Sequence, residues 1–396
     1  MTEHTSDYLI VGAGLAGASA VEGIRERDPK RSITMIGAEK HLPYDRPPLS
    51  KKLWFGKKKV KDIFLHDRAF YDEKDVTLFT GREVVALDVK NLTVNDSAGK
   101  SYRFKKLLLA TGSAPQLLPI PGGDLPEICY YRVLDDYQRL KREVTKGQSA
   151  VIIGGGFIGS EMAAALCINK VKVTMIFPST HLCDRVFPQN LGQAMERMYQ
   201  TRGVQILKGQ KPASIKRKGS KFLVQTESGE KVESDWVIVG VGVKPSVALA
   251  EQSGLATGDG ICVNECLQTA HPAIYAAGDN ARFSYQALGQ QARLEHWDNA
   301  LKQGNQAGQN MAGAHKPFTY MPYFFSDLFE FGYEAVGEVN ARMETRADWQ
   351  KPFDTGVIYY LRNGKIRGAM MCNVWDKVEQ ARALIRRGAG SDEHLA

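Results

Sequence analysis

The chain has 396 residues, 43% of them hydrophobic and 24% charged, which is the composition of a globular protein with two or three domains. This composition excludes a disordered chain, a collagen and a coiled coil, and no apolar run approaches the roughly 18 residues of a membrane-spanning helix. The 52 basic and 44 acidic residues give a net charge of +8, which favours acidic partners without choosing among a protein, a nucleic acid and an anionic cofactor.

The N-terminal residues and the cysteines favour a cytoplasmic protein. Residues 1–7 are polar and run directly into an apolar strand, so we expect no secretory signal. The six cysteines contain no CxxC pair, which is typical of free thiols rather than of a disulfide framework.

The first predicted unit is a strand, a glycine-rich turn and a helix, followed by a second strand. Residues 7–11 and 33–36 are the two predicted strands, and the turn is Gly12-Ala-Gly14-Leu-Ala-Gly17. In such a unit the first glycine makes the turn, the second admits a pyrophosphate and the third lets the helix meet the strand. The N-terminus of the helix offers free N–H groups to the phosphates. The spacing therefore predicts a dinucleotide site.

Two acidic residues extend this first site. Glu39 follows the second strand, 22 residues after Gly17, where an acid is expected to hydrogen-bond a ribose. Asp279 stands beside Gly278 at the end of a buried strand that begins at Ile274, and this position suits the binding of a polyol chain.

The same plan returns later in the chain. A strand over residues 150–153 leads into Gly154-Gly-Gly156-Phe-Ile-Gly159, a helix that contains Glu161, and another strand. In both copies a β-meander and a buried strand that closes on glycine follow, with the closing glycines at Gly112 and Gly242. Two copies predict two dinucleotide-binding domains. A bound flavin dinucleotide and a diffusing nicotinamide are the simplest pair that exchanges electrons.

A third region begins at about Phe318. Aromatic residues cluster there, and alternating patterns over residues 356–361 and 366–371 predict two strands. A helix is expected over residues 374–387, and the residues from Gly388 onward are expected to fray. We interpret this region as an α+β domain.

Four motifs carry a resemblance to a known family. They are Leu42-Pro-Tyr-Asp-Arg-Pro-Pro-Leu-Ser-Lys51, Ala110-Thr-Gly112, Ala277-Gly-Asp279 and Phe325-Ser-Asp327. Together they resemble the FAD-dependent NAD(P)H:ferredoxin reductases of the putidaredoxin reductase type. Lys51-Lys-Leu-Trp-Phe55 and the stretch from Asp327 to Gly337 are similar to the apoptosis-inducing factors.

The resemblance implies a glutathione-reductase-like α/β fold with two dinucleotide-binding domains and a C-terminal α+β domain. Residues 1–118 and 248–317 are then the two segments of the FAD-binding domain. Residues 119–247 form the NAD(P)H-binding domain, and residues 318–396 form the C-terminal domain.

The glycine motifs and the resemblance together assign the site residues. Contacts with FAD are expected at Gly12, Gly14, Leu15, Ala16, Gly17, Glu39, Arg46, Lys51, Val84, Ala110, Thr111, Gly112, Arg132, Gly278, Asp279, His296, Trp297 and Phe325. Contacts with the nicotinamide nucleotide are expected at Gly154, Gly156, Phe157, Ile158, Gly159, Glu161, Ser179 and Gly242. The resemblance places Lys51 and Glu161 together as an ion pair near the reactive edge of the flavin, and these are the expected catalytic residues.

Ser179 bears on the choice of nucleotide. It stands 20 residues after Gly159, where an NAD-selective site needs a carboxylate that repels a 2′-phosphate. A serine repels neither nucleotide, and His181 and Arg185 are close enough in sequence to supply positive charge. We therefore expect weak discrimination between NADH and NADPH.

Cysteine placement separates the chain from other branches of the fold. Residues 43–53 contain no cysteine, which argues against disulfide-reductase and peroxidase chemistry. Cys262 and Cys266 lack the flanking residues of a metal site, so we interpret them as structural and expect no metal.

The function implied is transfer of electrons from NAD(P)H through FAD to an acidic, ferredoxin-type iron–sulfur protein in the cytoplasm. A flavin bridges a two-electron donor and a one-electron acceptor. The alternative is a redox or signalling flavoprotein of the apoptosis-inducing factor type, with nucleic-acid or protein binding and weak NAD(P)H oxidase activity. No nucleic-acid motif is present, which disfavours a nucleic-acid partner, and no membrane partner is expected. The identity of the acceptor, the preferred nucleotide and a homodimer stay open.

Overall fold

The structure is a computed structural model that describes residues 4–395, so the polar residues 1–3 and Ala396 lie outside the described part. The chain forms two compact units. Unit 1 contains the residues up to Asp45, Val60–Ala114 and Lys244–Tyr323. Unit 2 contains Arg46–Lys59, Pro115–Val243 and the residues from Phe324 onward.

The described residues contain eight α-helices, none of which is long and apolar enough to cross a membrane. They are α1 (Leu15–Arg25), α2 (Arg68–Glu73), α3 (Leu134–Glu143), α4 (Phe157–Ile168), α5 (Gln189–Thr201), α6 (Ala248–Gln252), α7 (Trp297–Met311) and α8 (Val378–Arg386). Three short 3-10 helices cover Pro47–Ser50, Val60–Ile63 and Gln286–Leu288.

The strands of the described residues fall into two halves of the chain. The first half has β1 (His4–Val11), β2 (Ile33–Ile36), β3 (Val76–Phe79), β4 (Val84–Asp88), β5 (Thr93–Asp96), β6 (Ser101–Leu109), β7 (Ser113–Pro115), β8 (Cys129–Tyr130), β9 (Ser149–Ile153), β10 (Lys172–Phe177), β11 (Gln205–Lys208), β12 (Pro212–Lys218) and β13 (Lys221–Thr226). The second half has β14 (Lys231–Ser234), β15 (Trp236–Val239), β16 (Val243–Pro245), β17 (Thr257–Gly258), β18 (Gly260–Cys262), β19 (Ile274–Ala276), β20 (Ala281–Tyr285), β21 (Gln290–Ala292), β22 (Tyr323–Leu328), β23 (Phe331–Gly337), β24 (Glu344–Lys351), β25 (Thr355–Arg362) and β26 (Lys365–Cys372).

Unit 1 is built on a mixed sheet of order β3-β2-β1-β6-β5-β4, in which β19 also pairs with β6. β1, β2, β3, β6 and β19 run parallel, so their carboxyl ends meet at one edge. Helix α7 packs tightly on α1, because Gly304 and Gly308 bring its backbone against Ala16 and Ala20. A second sheet of unit 1 has the order β17-β18-β20-β21.

Unit 2 contains a parallel sheet of order β11-β10-β9-β15-β8 and the antiparallel meander β12-β13-β14. Their shared apolar core includes Val151, Ile153, Phe222, Val224 and Val239, which are almost completely buried. A separate antiparallel sheet has the order β22-β23-β26-β25-β24, and α8 packs on its strands β23 and β26. The two predicted dinucleotide folds and the α+β region are therefore present.

The segment of residues 46–59 is tied to the rest of unit 2 through aromatic side chains. The hydroxyl of Tyr131 donates to the carbonyl oxygen of Leu49 at 2.5 Å, and the indole N–H of Trp54 donates to Tyr131 Oη at 3.1 Å. The side-chain amide of Asn169 donates to the carbonyl oxygen of Trp54 at 3.1 Å. These bonds fix the backbone on both sides of Lys51.

Three sequence expectations need correction. Helix α4 begins at Phe157, so Glu161 lies in its second turn rather than just inside its start. Helix α8 begins four residues later than expected, because Asn373 and Asp376 adopt positive φ angles of 46° and 62° that no helix contains. The end of the chain is not frayed in the described residues, since Gly390 pairs with Lys365 in a β-bridge.

Candidate functional site

The first glycine-rich turn of unit 1 is shaped for close backbone contacts. Gly12 has a φ of +115°, and a Cβ there would lie 2.0 Å from the carbonyl oxygen of Ala110. A Cβ at Gly17 would lie 2.1 Å from the carbonyl oxygen of Gly12. Gly14, in contrast, has no atom within 4 Å of such a Cβ, and no side chain caps the helix that follows it. The open space beside an uncapped helix N-terminus suits a pyrophosphate.

The turn of unit 2 repeats this geometry. A Cβ at Gly154 would lie 2.3 Å from the carbonyl oxygen of Gly240, and one at Gly159 would lie 2.0 Å from that of Gly154. Gly156 has open space around it and precedes α4 without a side-chain cap. Unit 2 therefore has a second anion-binding helix N-terminus, whose first residues are Phe157 and Ile158.

The predicted polar contacts of unit 1 follow the carboxyl ends of its parallel strands. Glu39 comes after β2, and its carboxylate accepts a hydrogen bond from Tyr44 Oη at 2.6 Å. Asp279 comes after β19, and its carboxylate accepts a hydrogen bond from Ser113 Oγ at 2.7 Å. Thr111, after β6, accepts a bond of 2.9 Å from the amide of Asn280.

The remaining predicted residues of unit 1 lie in three places. Leu15, Ala16, Ala110, Gly112 and Gly278 belong to the glycine turn, the end of β6 and the end of β19. Val84 is buried at the start of β4. His296 and Trp297 lie at the N-terminus of α7, where the indole N–H of Trp297 donates to Asp45 Oδ1 at 2.7 Å.

Desolvation lowers the pKa of His296 to about 4, against an attraction to Asp279 that raises it. The position of His296 as the N-cap of α7 works in the same direction as desolvation, because a helix N-terminus disfavours a cation. The imidazole is therefore neutral at physiological pH.

This shift makes stability depend on pH. Between about pH 6.5 and about pH 4 the unfolded chain binds a proton at His296 that the folded chain does not bind. We expect the free energy of unfolding to fall as the pH falls through this window, by at most about 1.4 kcal/mol per pH unit for one proton. Urea unfolding of the wild type and His296→Asn across this range measures the difference in slope. Equal slopes would show that His296 is not the group responsible.

Unit 2 brings Lys51 and Glu161 together in a buried ion pair. Lys51 Nζ lies 2.7 Å from Glu161 Oε1, and only 5% of each side chain is exposed. Ser326 Oγ donates to the same carboxylate oxygen at 2.5 Å, and Ser50 Oγ donates to the other oxygen. Lys51 Nζ also lies 5.5 Å from the centre of the Phe325 ring. The carboxylate is thus held by one ammonium and two hydroxyl groups.

Ser50 and Ser326 were missed in the sequence. Each stands next to a residue that the resemblance singled out, Ser50 beside Lys51 and Ser326 beside Phe325. A signal was therefore present inside the quoted motifs, but no spacing rule connects either serine with α4, because long-range contacts bring them together.

Other predicted residues of unit 2 have backbone roles in the structure. The guanidinium of Arg46 donates to the carbonyl oxygen of Arg132 at 3.0 Å. The backbone N–H of Arg132 donates to Asp136 Oδ2 at 2.8 Å, at the start of α3. Gly242 has a φ of +106°, and its carbonyl oxygen accepts the N–H of Gln116 at 2.9 Å.

Ser179 follows the end of β10, as a residue that reads the ribose should. Its hydroxyl donates to the carbonyl oxygen of His181 at 3.0 Å. The ring of His181 is buried against Gly192, with Nδ1 3.0 Å from the carbonyl oxygen of Leu182, whereas Arg185 is exposed. His181 is therefore turned into the protein and does not offer a charge at the surface beside Ser179.

The cysteines and metal ligands add no further chemistry within residues 4–395. None of the six cysteines is in a disulfide, and no group of three or more metal-binding side chains occurs. Burial raises the pKa of both Cys129 and Cys183 to about 12, so their thiols stay protonated.

Two uncapped glycine turns, each between a parallel strand and a helix, define an oxidoreductase with two dinucleotide-binding folds. The chain belongs to the pyridine nucleotide-disulphide oxidoreductase family, which it matches over residues 6–304. Residues 307–353 match the family described as apoptosis-inducing factor, mitochondrion-associated, C-term.

Individual proteins are similar over almost the whole chain. The ferredoxin–NAD(+) reductase component of the anthranilate 1,2-dioxygenase system of Burkholderia cepacia is 34% identical over 389 residues, which are 97% of this chain and 95% of that protein. Apoptosis-inducing factor 1 of Dictyostelium discoideum is 31% identical, over 96% of this chain and 78% of that protein. The covalent putidaredoxin reductase–putidaredoxin complex superposes with a TM-score of 0.91 at 28% identity, covering 97% of this chain and 93% of that one.

These similarities confirm the resemblance, the fold class and the oxidoreductase class expected from the sequence. They also confirm FAD and NAD(P)H as the cofactors. The residues present fit both groups, because each glycine turn leaves open space beside an uncapped helix N-terminus.

Proposed function

We propose that the protein transfers electrons from NAD(P)H to a small ferredoxin-type iron–sulfur protein. The buried Lys51–Glu161 pair, in a segment without cysteine, supports this proposal most directly. Without a thiol pair to take the electrons, they must leave for an external acceptor. One NAD(P)H loses a hydride, two one-electron carriers each gain an electron, and one proton is released. Reduction of a [2Fe–2S] ferredoxin by the purified protein with NAD(P)H tests the proposal.

FAD, when bound, accepts a hydride from the nicotinamide and gives up its electrons one at a time. The protein contributes alignment and fixed charge. Glu161 and the two serines hold the ammonium of Lys51 in one position, and burial keeps water from screening that charge. The domain boundaries expected from the sequence, at residues 118, 247 and 317, and the assigned site residues belong to this proposal.

A matched pair of glycine variants separates the two nucleotide sites. We expect the wild-type protein to be yellow with one FAD per chain. Gly14→Val puts a side chain into open space that suits the flavin pyrophosphate, so FAD affinity should fall at least about tenfold, or 1.4 kcal/mol, without unfolding. Gly156→Val is the control, which should keep FAD and raise the KM for NAD(P)H. FAD titration and circular dichroism measure both variants. A colourless wild-type protein, or loss of FAD in the control alone, would contradict the assignment.

The partner is proposed to be acidic, because the chain carries a net charge of +8. Electrostatic attraction speeds association and is screened within about 8 Å at physiological ionic strength. We therefore expect kcat/KM for an acidic [2Fe–2S] ferredoxin to fall on the order of tenfold from low to moderate salt. A neutral quinone is the control acceptor, whose rate should change little. A ferredoxin rate indifferent to salt would argue against an acidic partner.

The cytoplasmic location remains part of the proposal, supported by the free cysteines. A homodimer stays open. The second candidate function is a signalling flavoprotein of the apoptosis-inducing factor type, which the match over residues 307–353 favours. That function predicts slow ferredoxin reduction and salt-sensitive binding of duplex DNA.

A further inference from the structure

Unit 2 carries an exposed surface, here named the lysine patch, formed by Lys57, Lys58, Lys141, Lys170 and Ile168. Three separate segments contribute to it: the turn of residues 52–58, the end of α3, and the end of α4 with the residue pair that follows. Lys57, Lys141 and Lys170 are exposed, and Lys58 is half-buried. The sequence suggested only a solvated lysine run in the first of these segments.

Trp54 joins the three segments under the lysine patch. The ammonium of Lys141 lies 5.1 Å from the centre of the Trp54 ring and 3.3 Å from Asn169 Oδ1. Asn169 in turn donates its amide to the carbonyl oxygen of Trp54 at 3.1 Å. The backbone N–H groups of Lys57 and Lys58 both donate to the carbonyl oxygen of Lys52, at 2.9 and 3.2 Å, which closes the turn. The patch therefore has a fixed geometry.

The composition of the patch is that of a protein interface. Ile168 is 42% exposed, which makes it one of four large hydrophobic residues exposed in the described chain. It ends α4, and lysine ammonium groups surround it. An apolar centre within a charged rim is the usual anatomy of a protein-binding surface. Single-stranded nucleic acid would need exposed aromatic rings for stacking, and Trp54 is buried.

The patch also lies close to the catalytic pair. Helix α4 carries Glu161 and ends at Ile168, so the two residues are separated by two turns, or about 10 Å along the helix axis. Trp54 leads in the same direction, through its bond to Tyr131 and the bond from Tyr131 to Leu49, two residues before Lys51. A protein bound at the patch would sit near the residues that we place beside the reactive groups.

We propose that the lysine patch is the docking surface for the acidic electron acceptor. The ammonium groups attract the carboxylates of the acceptor, and Ile168 provides an apolar contact at the centre of the interface. This inference rests on the proposed function and adds the place at which the partner binds.

Charge reversal at the patch and at a distant site tests the docking surface. Lys57→Glu/Lys170→Glu changes the patch, and Lys216→Glu/Lys231→Glu makes the same change in net charge on the meander of β12 and β14, where both lysines are exposed. For each protein, kcat/KM for an acidic [2Fe–2S] ferredoxin is divided by kcat/KM for a neutral quinone at low salt. The ratio should fall at least tenfold for the patch variant and less than threefold for the control. Ile168→Ala should lower the ratio even at high salt.

The outcomes separate the docking surface from the function itself. A wild-type protein that reduces the quinone but no ferredoxin overturns the proposed function. A wild-type protein that reduces ferredoxin, with equal ratios for the patch and control variants, overturns only the docking surface. Binding of a 30-base-pair DNA duplex that is lost in the patch variant, while its ferredoxin ratio stays at the wild-type value, assigns the surface to nucleic acid and also overturns the inference.

Discussion

Lys51→Met should slow the reduction of protein-bound flavin by NAD(P)H by a factor on the order of a hundred, the usual cost of removing one fixed electrostatic group from an active site. The methionine keeps the length and apolar stem of the lysine but loses the charge that Glu161, Ser50 and Ser326 hold in place. Stopped-flow absorbance of the flavin after mixing with NADH or NADPH measures this step without any acceptor.

Lys52→Met is the matched control, because Lys52 is the next residue and its side chain is exposed. The same reduction rate in Lys51→Met and Lys52→Met would show that the buried ammonium has no catalytic role. Glu161→Gln adds a second test, since the amide still accepts hydrogen bonds but no longer balances the charge of Lys51. We expect it to be slower than wild type and to show an altered pH profile.

The pair also makes a separable contribution to stability. Glu161→Ala leaves the ammonium of Lys51 buried without its counter-charge, and removing one member of a buried ion pair typically destabilises a protein by about 3–5 kcal/mol. Exposure of only 5% for each side chain places this pair in that class. Denaturant unfolding of Glu161→Ala and Glu161→Gln therefore separates a loss of folding from a loss of rate.

The glycine turns could be predicted because each glycine has one physical reason to be there. Gly12 and Gly154 need positive φ angles, and Gly17 and Gly159 meet a backbone oxygen that excludes any side chain. These requirements are local and leave a periodic trace in the sequence. The strands on either side of each turn followed from their continuous apolar runs.

The arrangement around Glu161 could not be predicted in the same way. Its carboxylate meets Ser50 from 111 residues away and Ser326 from 165 residues away, and no local pattern encodes such contacts. The start of α4 was also misplaced, because open backbone at Gly156, rather than a capping side chain, begins the helix. His181 shows the converse limit, since its nearness to Ser179 in sequence did not reveal that its ring packs inward on Gly192.

The nicotinamide site should discriminate weakly between NADH and NADPH. Ser179 stands at the end of β10 with its hydroxyl bonded to a backbone oxygen, so it presents no negative charge to a 2′-phosphate. The ring of His181 is buried, so it offers the phosphate no cation at this surface. We therefore expect the ratio of kcat/KM for NADH to that for NADPH to stay below about a hundredfold, or about 2.7 kcal/mol.

Ser179→Glu should raise this ratio at least about tenfold, because a carboxylate accepts hydrogen bonds from the ribose hydroxyls and repels the 2′-phosphate. Thr180→Glu is the control, since Thr180 is exposed and adds the same charge one residue further along the chain. A shift confined to Ser179→Glu would place the ribose beside the end of β10. A wild-type preference for NADH above a hundredfold, or equal shifts in the two variants, would mean that another acid reads the ribose and that Ser179 does not decide the choice of nucleotide.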